Sequence, residues 1–184
     1  DSGAFFGTDE DAAFTTGDVL ANDDDPDDND KPGLFVSSFD ATGTLGGTVA
    51  YNGDGTFDYD PGTVFQDLDQ GDTDTDVFTY ELADGKGGFD TATVSIEITG
   101  LNDTPTAADD TGTTNEENTS PASGNLLAND DDVDEDAALS VVSAGGDAIA
   151  PAGSVTVAGS TGGDFVVGSD GSWSFDPDGD FETL

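Results

Sequence analysis

Thr91-Ala92-Thr93-Val94-Ser95-Ile96-Glu97-Ile98-Thr99 is the stretch on which the fold turns. Ala92, Val94, Ile96 and Ile98 occupy every second position, with Thr93, Ser95 and Glu97 between them. A period of two places the apolar four on one face of a β-strand and the polar three on the other. Upstream, Phe78, Tyr80 and Leu82 alternate with Thr79 and Glu81, and Phe57 and Tyr59 alternate with Thr56, Asp58 and Asp60. Turn signals separate the runs: Asn52-Gly53-Asp54-Gly55, Asp84-Gly85-Lys86-Gly87-Gly88 and Asp170-Gly171. No segment sustains a helical period. About seven such strands per repeat, each apolar on one face, define an all-β chain built as an antiparallel β-sandwich whose core holds the alternating aromatics.

The pattern recurs along the chain. Gly17–Asp25 (GDVLANDDD) returns as Gly124–Asp132 (GNLLANDDD), an offset of 107. Leu34-Phe35-Val36 corresponds to Leu139-Ser140-Val141. Asp54–Pro61 (DGTFDYDP) returns as Asp170–Pro177 (DGSWSFDP), an offset of 116, and Phe65 and Leu68 match Phe181 and Leu184 at the same offset. A period of this size fits one sandwich per repeat. The reading is two domains, residues 1–103 as a complete repeat and 104–184 as a second repeat that stops before its last two strands. The junction Gly100–Asp110 (GLNDTPTAADD) has a proline and no apolar period, and reads as a short, stiff linker. The chain opens inside what reads as a repeat, so it is expected to be a piece of something longer.

Composition removes most chemistry. Among 184 residues, 42 carboxylates face two basic residues, Lys31 and Lys86, for a net charge of −40. Of the acids 35 are Asp, a turn and ligand residue rather than a helix former. With no arginine and two lysines, there is nothing to displace counterions from nucleic-acid phosphate or to hold an anionic membrane surface. No apolar run approaches the ~18 residues of a membrane span. Without cysteine there is no disulfide or thiolate, and without histidine the usual general base and transition-metal ligand are missing. High acidity with low hydropathy would suit a disordered tail, but 12 Phe, three Tyr and one Trp in alternating runs argue for folded strands. An Asp-rich, Lys-poor surface also suits saline surroundings, where salt screens self-repulsion.

Two acidic loops concentrate the charge: Asn22–Asp30 (NDDDPDDND) and Asn129–Asp136 (NDDDVDED). Each follows an apolar pair, Val19-Leu20 or Leu126-Leu127, expected to end a strand, so each places its charges at a strand corner. Crowded carboxylates repel by about 1 kcal/mol or more per close pair near a surface, and two lysines cannot neutralise them. Ca²⁺ can, because it accepts six to eight oxygens in flexible geometry, whereas Mg²⁺ demands a strict octahedron. The alternation Asp23, Asp25, Asp27 and Asp130, Asp132, Asp134 resembles the opening of an EF-hand loop. Position six is nevertheless Asp28 or Glu135 rather than Gly, and position twelve is Leu34 or Val141 rather than Glu. The glycine-rich nonapeptide of calcium β-rolls is absent. A solvated acidic face is the competing reading, and both can hold together. A third alternation, Asp72 to Asp76, leads into a strand and reads as a solvated strand edge.

These pieces form an ordered series: Asp-Glu-Asp at 9–11, Leu-Ala-Asn-Asp-x-Asp at 20–25, Asp-Gly-Thr-Phe-x-Tyr-x-Pro at 54–61, Phe65-Gln66-x-Leu68, Phe78-Thr79-Tyr80 and the closing Ile98-Thr99-Gly100-Leu101-Asn102-Asp103. The series resembles the VCBS and cadherin-like tandem repeats of large bacterial surface proteins, including RTX adhesins. The resemblance implies immunoglobulin-like or cadherin-like sandwiches arrayed end to end, with Ca²⁺ in the junctions. It also implies a ligand set: Glu10 flanked by Asp9 and Asp11 at the base of the first repeat, Asn102 and Asp103 in the linker, and Asp130, Asp132 and Asp134 on the second repeat. Asp23, Asp25 and Asp27 would face a preceding repeat. No Asp-Arg-Glu motif occurs, so one ligand set of animal cadherins has no counterpart.

The expected function is a non-catalytic, calcium-stiffened extender of a secreted bacterial surface adhesin or extracellular fibre. Its partners would be neighbouring repeats of the same polypeptide and other copies of itself. A structural subunit of a filament, sheath or surface layer, assembling by strand donation, is the alternative. An enzyme is disfavoured because the carboxylates cluster in loops and a single Trp is available to stack a sugar. A carbohydrate- or ice-binding module lacks a flat Thr array or an exposed aromatic set.

Overall fold

The computed structural model describes residues 3–26, 33–114, 121–134 and 137–177. Asp27 lies outside the described residues. The chain divides into two compact units, Asp1–Asp103 and Thr104–Leu184, each taken by itself below.

Unit 1 contains β1 (Ala4–Asp9), β2 (Phe14–Thr15), β3 (Phe35–Phe39), β4 (Thr48–Tyr51), β5 (Phe57–Asp60), β6 (Thr73–Ala83) and β7 (Phe89–Thr99). They form two sheets, one in the order β1-β7-β6-β3 and one in the order β2-β5-β4. This is a sandwich, and period-two alternation builds it. Val94, Ile96 and Ile98 of β7 and Phe78, Tyr80 and Leu82 of β6 face inward onto Phe57, Tyr59 and Val49 of the other sheet. The ring of Phe57 stands 5.0 Å from that of Phe78, edge-on, a geometry that adds to the area it buries.

Most pairs are antiparallel, as the alternation implied, but β1 runs parallel to β7, with Ala4 opposite Val94 and Asp9 opposite Thr99. Long-range register of this kind leaves no local trace. The strands β6 and β7 are also longer than their apolar cores. Their eleven-residue ladder runs from Thr73↔Thr99 to Ala83↔Phe89, because backbone pairing continues past the last buried side chain. The expectation that Val19-Leu20 ends a strand is overturned: Val19–Asn22 is a 3-10 turn, with the Asp18 carboxylate accepting the Leu20 N–H. Val19 is buried as an anchor under the core, which satisfies its apolar side chain without a strand. Leu126 and Leu127 likewise follow a strand and lie in a turn.

Unit 2 carries β8 (Ala122–Asn125), β9 (Ser143–Ala144), β10 (Asp147–Ala148), β11 (Ser154–Ala158), β12 (Asp164–Gly168) and β13 (Ser172–Asp176). One sheet has the order β11-β12-β13-β8, and β9 pairs with β10 in a short hairpin. The sequence repeat aligns β8, β13 and β12 with β2, β5 and β4 of unit 1, and β11 forms the edge of the sheet beyond β12. Trp173 and Phe175 occupy the places of Phe57 and Tyr59. In unit 1 those two residues are fully buried under β6 and β7. Among the described residues of unit 2 no strands stand in the places of β6 and β7. Leu126, Phe165, Val167, Trp173 and Phe175 line an apolar cleft of about 370 Å³, bordered by residues 110–114.

Candidate functional site

Among the described residues of unit 1, three carboxylates are almost wholly buried: Glu10, Asp23 and Asp76, each 1 % exposed. A buried charge is costly unless hydrogen bonds replace its water, so each marks a built feature.

Glu10 follows β1 and continues its parallel pairing: its N–H donates to the Thr99 carbonyl at 3.1 Å. Its Oε1 accepts the Leu101 N–H at 2.7 Å. The expected base residue and the expected linker are thus brought to one end of unit 1. Asp9 accepts the Asp11 N–H, and Asp11 in turn accepts from Gln66 at 3.2 Å. Gln66 belongs to the β5–β6 connection, which crosses the same end. Gly71 N–H donates to Gly100 O and Gly100 N–H to Asp72 O. A Cβ at Gly100 would lie 2.4 Å from the Asp69 carbonyl, so this close approach requires glycine. The β5–β6 connection therefore brings Asp67 and Asp69 to the same end, two acids that reading by motif passed over. The signal was there in the spacing Asp67-x-Asp69 beside the quoted Phe65-Gln66-x-Leu68. Asn102 donates from its side chain to the Asp103 carbonyl, and Asp103 is half-buried.

Asp23 sits beyond the 3-10 turn. Its Oδ2 accepts the Tyr80 hydroxyl at 2.7 Å, so the loop's first acid is tied into the core. Asp25 is half-buried beside it. Burial, reinforced by the bond to Asp23, pushes the Tyr80 phenol well above the ordinary tyrosine range.

Asp76 overturns the reading of residues 72–76 as a solvated edge at that one position; Asp72 to Thr75 are exposed. Asp76 turns inward and accepts from Leu45 N–H at 2.8 Å, Gly47 N–H at 3.0 Å and the Tyr59 hydroxyl at 2.8 Å. It ties the β3–β4 loop to both sheets. Burial and Asp76 together raise the Tyr59 phenol as they do Tyr80. Exposed aspartates in the turns do a lighter task. The Thr15 hydroxyl and then the Asn52 amide hold Asp58 below its ordinary range, and the N–H groups of Lys86 and Gly88 hold Asp84 there. Thr56 lowers Asp54 in one repeat and Ser172 lowers Asp170 in the other. The matched Asp-Gly-Thr and Asp-Gly-Ser signals are thus one turn device used twice.

In unit 2, Asp130 Oδ1 accepts the Ala108 N–H at 2.8 Å, and Thr106 and Asp131 exchange backbone bonds at 2.7 and 3.0 Å. Asn129 donates to the Asp109 carbonyl. Residues 106–109 of the expected linker are thus part of unit 2, tied to its acidic loop. Asp132 accepts the Asp134 N–H at 3.2 Å, a tight turn within the loop. Among the described residues no three carboxylates stand close enough together to hold a metal as they are placed. The donors are nonetheless all oxygen, the chemistry that suits Ca²⁺ and excludes a soft-metal site.

A two-sheet sandwich with its first strand parallel to its last, repeated in sequence and held by turn aspartates and buried carboxylates, defines a structural repeat module of the cadherin type. The family model of the bacterial cadherin-like domain matches residues 2–100 and again 102–184, and the chain belongs to that family. No curated protein matches it. Bacterial cadherin-like domains are structural or adhesion-type folds of extracellular and surface proteins, and are not typically catalytic.

Proposed function

We propose that the chain is a non-catalytic, calcium-stiffened extender of a secreted bacterial adhesin or extracellular fibre. The observation that supports it is the end of unit 1, where buried Glu10 accepts the Leu101 N–H and the β5–β6 connection bonds Gly100, so that Asp9, Asp11, Asp67, Asp69 and Asp103 lie on segments that meet at that end. Ca²⁺ bound there would cancel repulsion that two lysines cannot. Asp23 and Asp25 of unit 1 and Asp130, Asp132 and Asp134 of unit 2 are the further proposed ligands. Because the carboxylates do not stand as a finished cage, binding draws them together and orders the loops. Ca²⁺ would supply fixed charge and stiffness from one repeat to the next; no bond is made or broken.

Calorimetric titration tests this reading. The wild-type chain, stripped with chelator, should take up Ca²⁺, and a Glu10→Ala, Asp103→Ala double variant should lose at least one binding event while keeping its fold. No uptake by the wild type would refute the calcium reading, and full uptake by the variant would refute the ligand assignment. A second reading is a filament subunit assembling by strand donation, in which the apolar cleft of unit 2 lined by Phe165, Trp173 and Phe175 would receive a strand of another copy. Ordered polymers at rising concentration would select it; a monomer throughout would reject it.

A further inference from the structure

From the topology of unit 1 we infer a further function: the β1–β7 ladder is a shear clamp that lets the module resist tension applied along the chain. The two strands are parallel, with six residue pairs from Ala4↔Val94 to Asp9↔Thr99. The chain therefore enters unit 1 at one end of this ladder and leaves it at the other. Tension pulls β1 back toward its start and β7 forward toward its finish, sliding one strand along the other. In a parallel ladder the hydrogen bonds are evenly spaced along the pair, so all of them meet the sliding force together rather than one after another.

Three features show that this ladder is the first seam to carry the force. The β1 strand lies at the edge of its sheet, paired only with β7, so nothing else in the sheet holds it. The β7 strand is fixed to β6 by eleven residue pairs, so it stays with the body while β1 slides. Beyond the last strand pair the seam is extended by Glu10, whose N–H reaches Thr99 O and whose Oε1 holds the Leu101 N–H. Glu10 itself is 1 % exposed, which limits the access of water to its carboxylate. The Phe6 ring against Phe14, 6.3 Å between centroids, adds an apolar contact that sliding must break. Resistance to pulling is governed by the unfolding rate under force rather than by equilibrium stability, so the clamp is a property apart from the calcium proposed above.

Single-molecule pulling of the full chain decides it. The protein has no cysteine, so one introduced thiol is a unique handle. Thr104→Cys, pulled against the N-terminus, loads β1 and β7 in shear. Lys86→Cys, in the exposed β6–β7 turn, pulled against the N-terminus, loads the same ladder from one end and peels it. Melting of both variants is compared with the parent to show that the fold is kept. The rupture force should be several-fold higher in the shear geometry, in calcium and in chelator alike. Equal forces in the two geometries would overturn the clamp whatever calcium does. An excess that vanishes in chelator would also overturn it, by assigning the resistance to bound ions, and would leave the calcium reading standing. An excess that persists while calorimetry shows no Ca²⁺ uptake would uphold the clamp and refute the calcium reading.

Discussion

Asp76 shows how one side chain can escape a reading made from its neighbours. In the run Asp72 to Asp76 every acid looks alike, and what singles out the last is the Tyr59 hydroxyl and the Leu45 and Gly47 N–H groups that tertiary folding brings to it. Replacing it with Ala strips several buried donors of their acceptor. The cost should be about 3 kcal/mol or more, against about 1–2 kcal/mol for Tyr59→Phe, which removes one bond. Chemical denaturation of the two variants and the double variant checks this, and coupling between the sites should be evident. The phenols predict a pH effect. In the folded state Tyr59 and Tyr80 hold their protons above the ordinary tyrosine value, chiefly by burial. Their contribution is therefore complete below the unfolded value of about 10 and is lost as pH rises above it. Alkaline unfolding should coincide with phenolate absorbance, and Tyr59→Phe should weaken that dependence. The turn aspartates have the opposite sign. Asp54, Asp58, Asp84 and Asp170 are lowered, so what they contribute is present above the ordinary Asp value and fades as pH falls below it.

Elements were legible where a local period reports a face. Val94, Ile96 and Ile98, or Phe78, Tyr80 and Leu82, can be placed on the buried side from sequence alone, and they are buried. The β1 strand gives no such signal: Ala4-Phe5-Phe6-Gly7 has apolar residues on both faces, and Phe5 is 64 % exposed. Its parallel partner is some ninety residues away, so neither the pairing nor the clamp could be read in advance. The 3-10 turn at Val19–Asn22 was missed for a related reason, because two apolar residues are too short a run to distinguish a strand end from a turn. Glu10 and Asn102-Asp103 were found through the resemblance and are brought to one end, whereas Asp67 and Asp69 needed the fold to place them. The β4–β5 hairpin offers a test at this scale. Gly55 has φ +90° and a Cβ there would meet Asp18 Oδ1 at 2.1 Å. Asp18 caps the 3-10 turn, so Gly55→Ala strains the hairpin and dislodges the cap together. A loss of about 2 kcal/mol is expected, whereas Gly53→Ala, with open space around it, should cost less. Equal losses would show that backbone strain alone matters.

At the scale of the whole molecule, charge dominates. The net charge of −40 is spread over a chain with two lysines, both in residues 1–103, so residues 104–184 contain no basic side chain at all. Self-repulsion of this size destabilises the compact state and is screened by salt. The chain should therefore melt lower at low ionic strength, and bound divalent cations should offset that loss more efficiently than the same ionic strength of a monovalent salt. A ligand that binds only the folded state at about a thousandfold excess over its Kd adds about 4 kcal/mol, which for domains of this size corresponds to about 10 °C or more. The central measurement is thermal unfolding of the full chain at low ionic strength, in millimolar-scale Ca²⁺ and then in chelator. The midpoint should fall by at least that interval when calcium is removed and return when it is restored. A midpoint that is the same in both would refute calcium as the source of stiffness and stability.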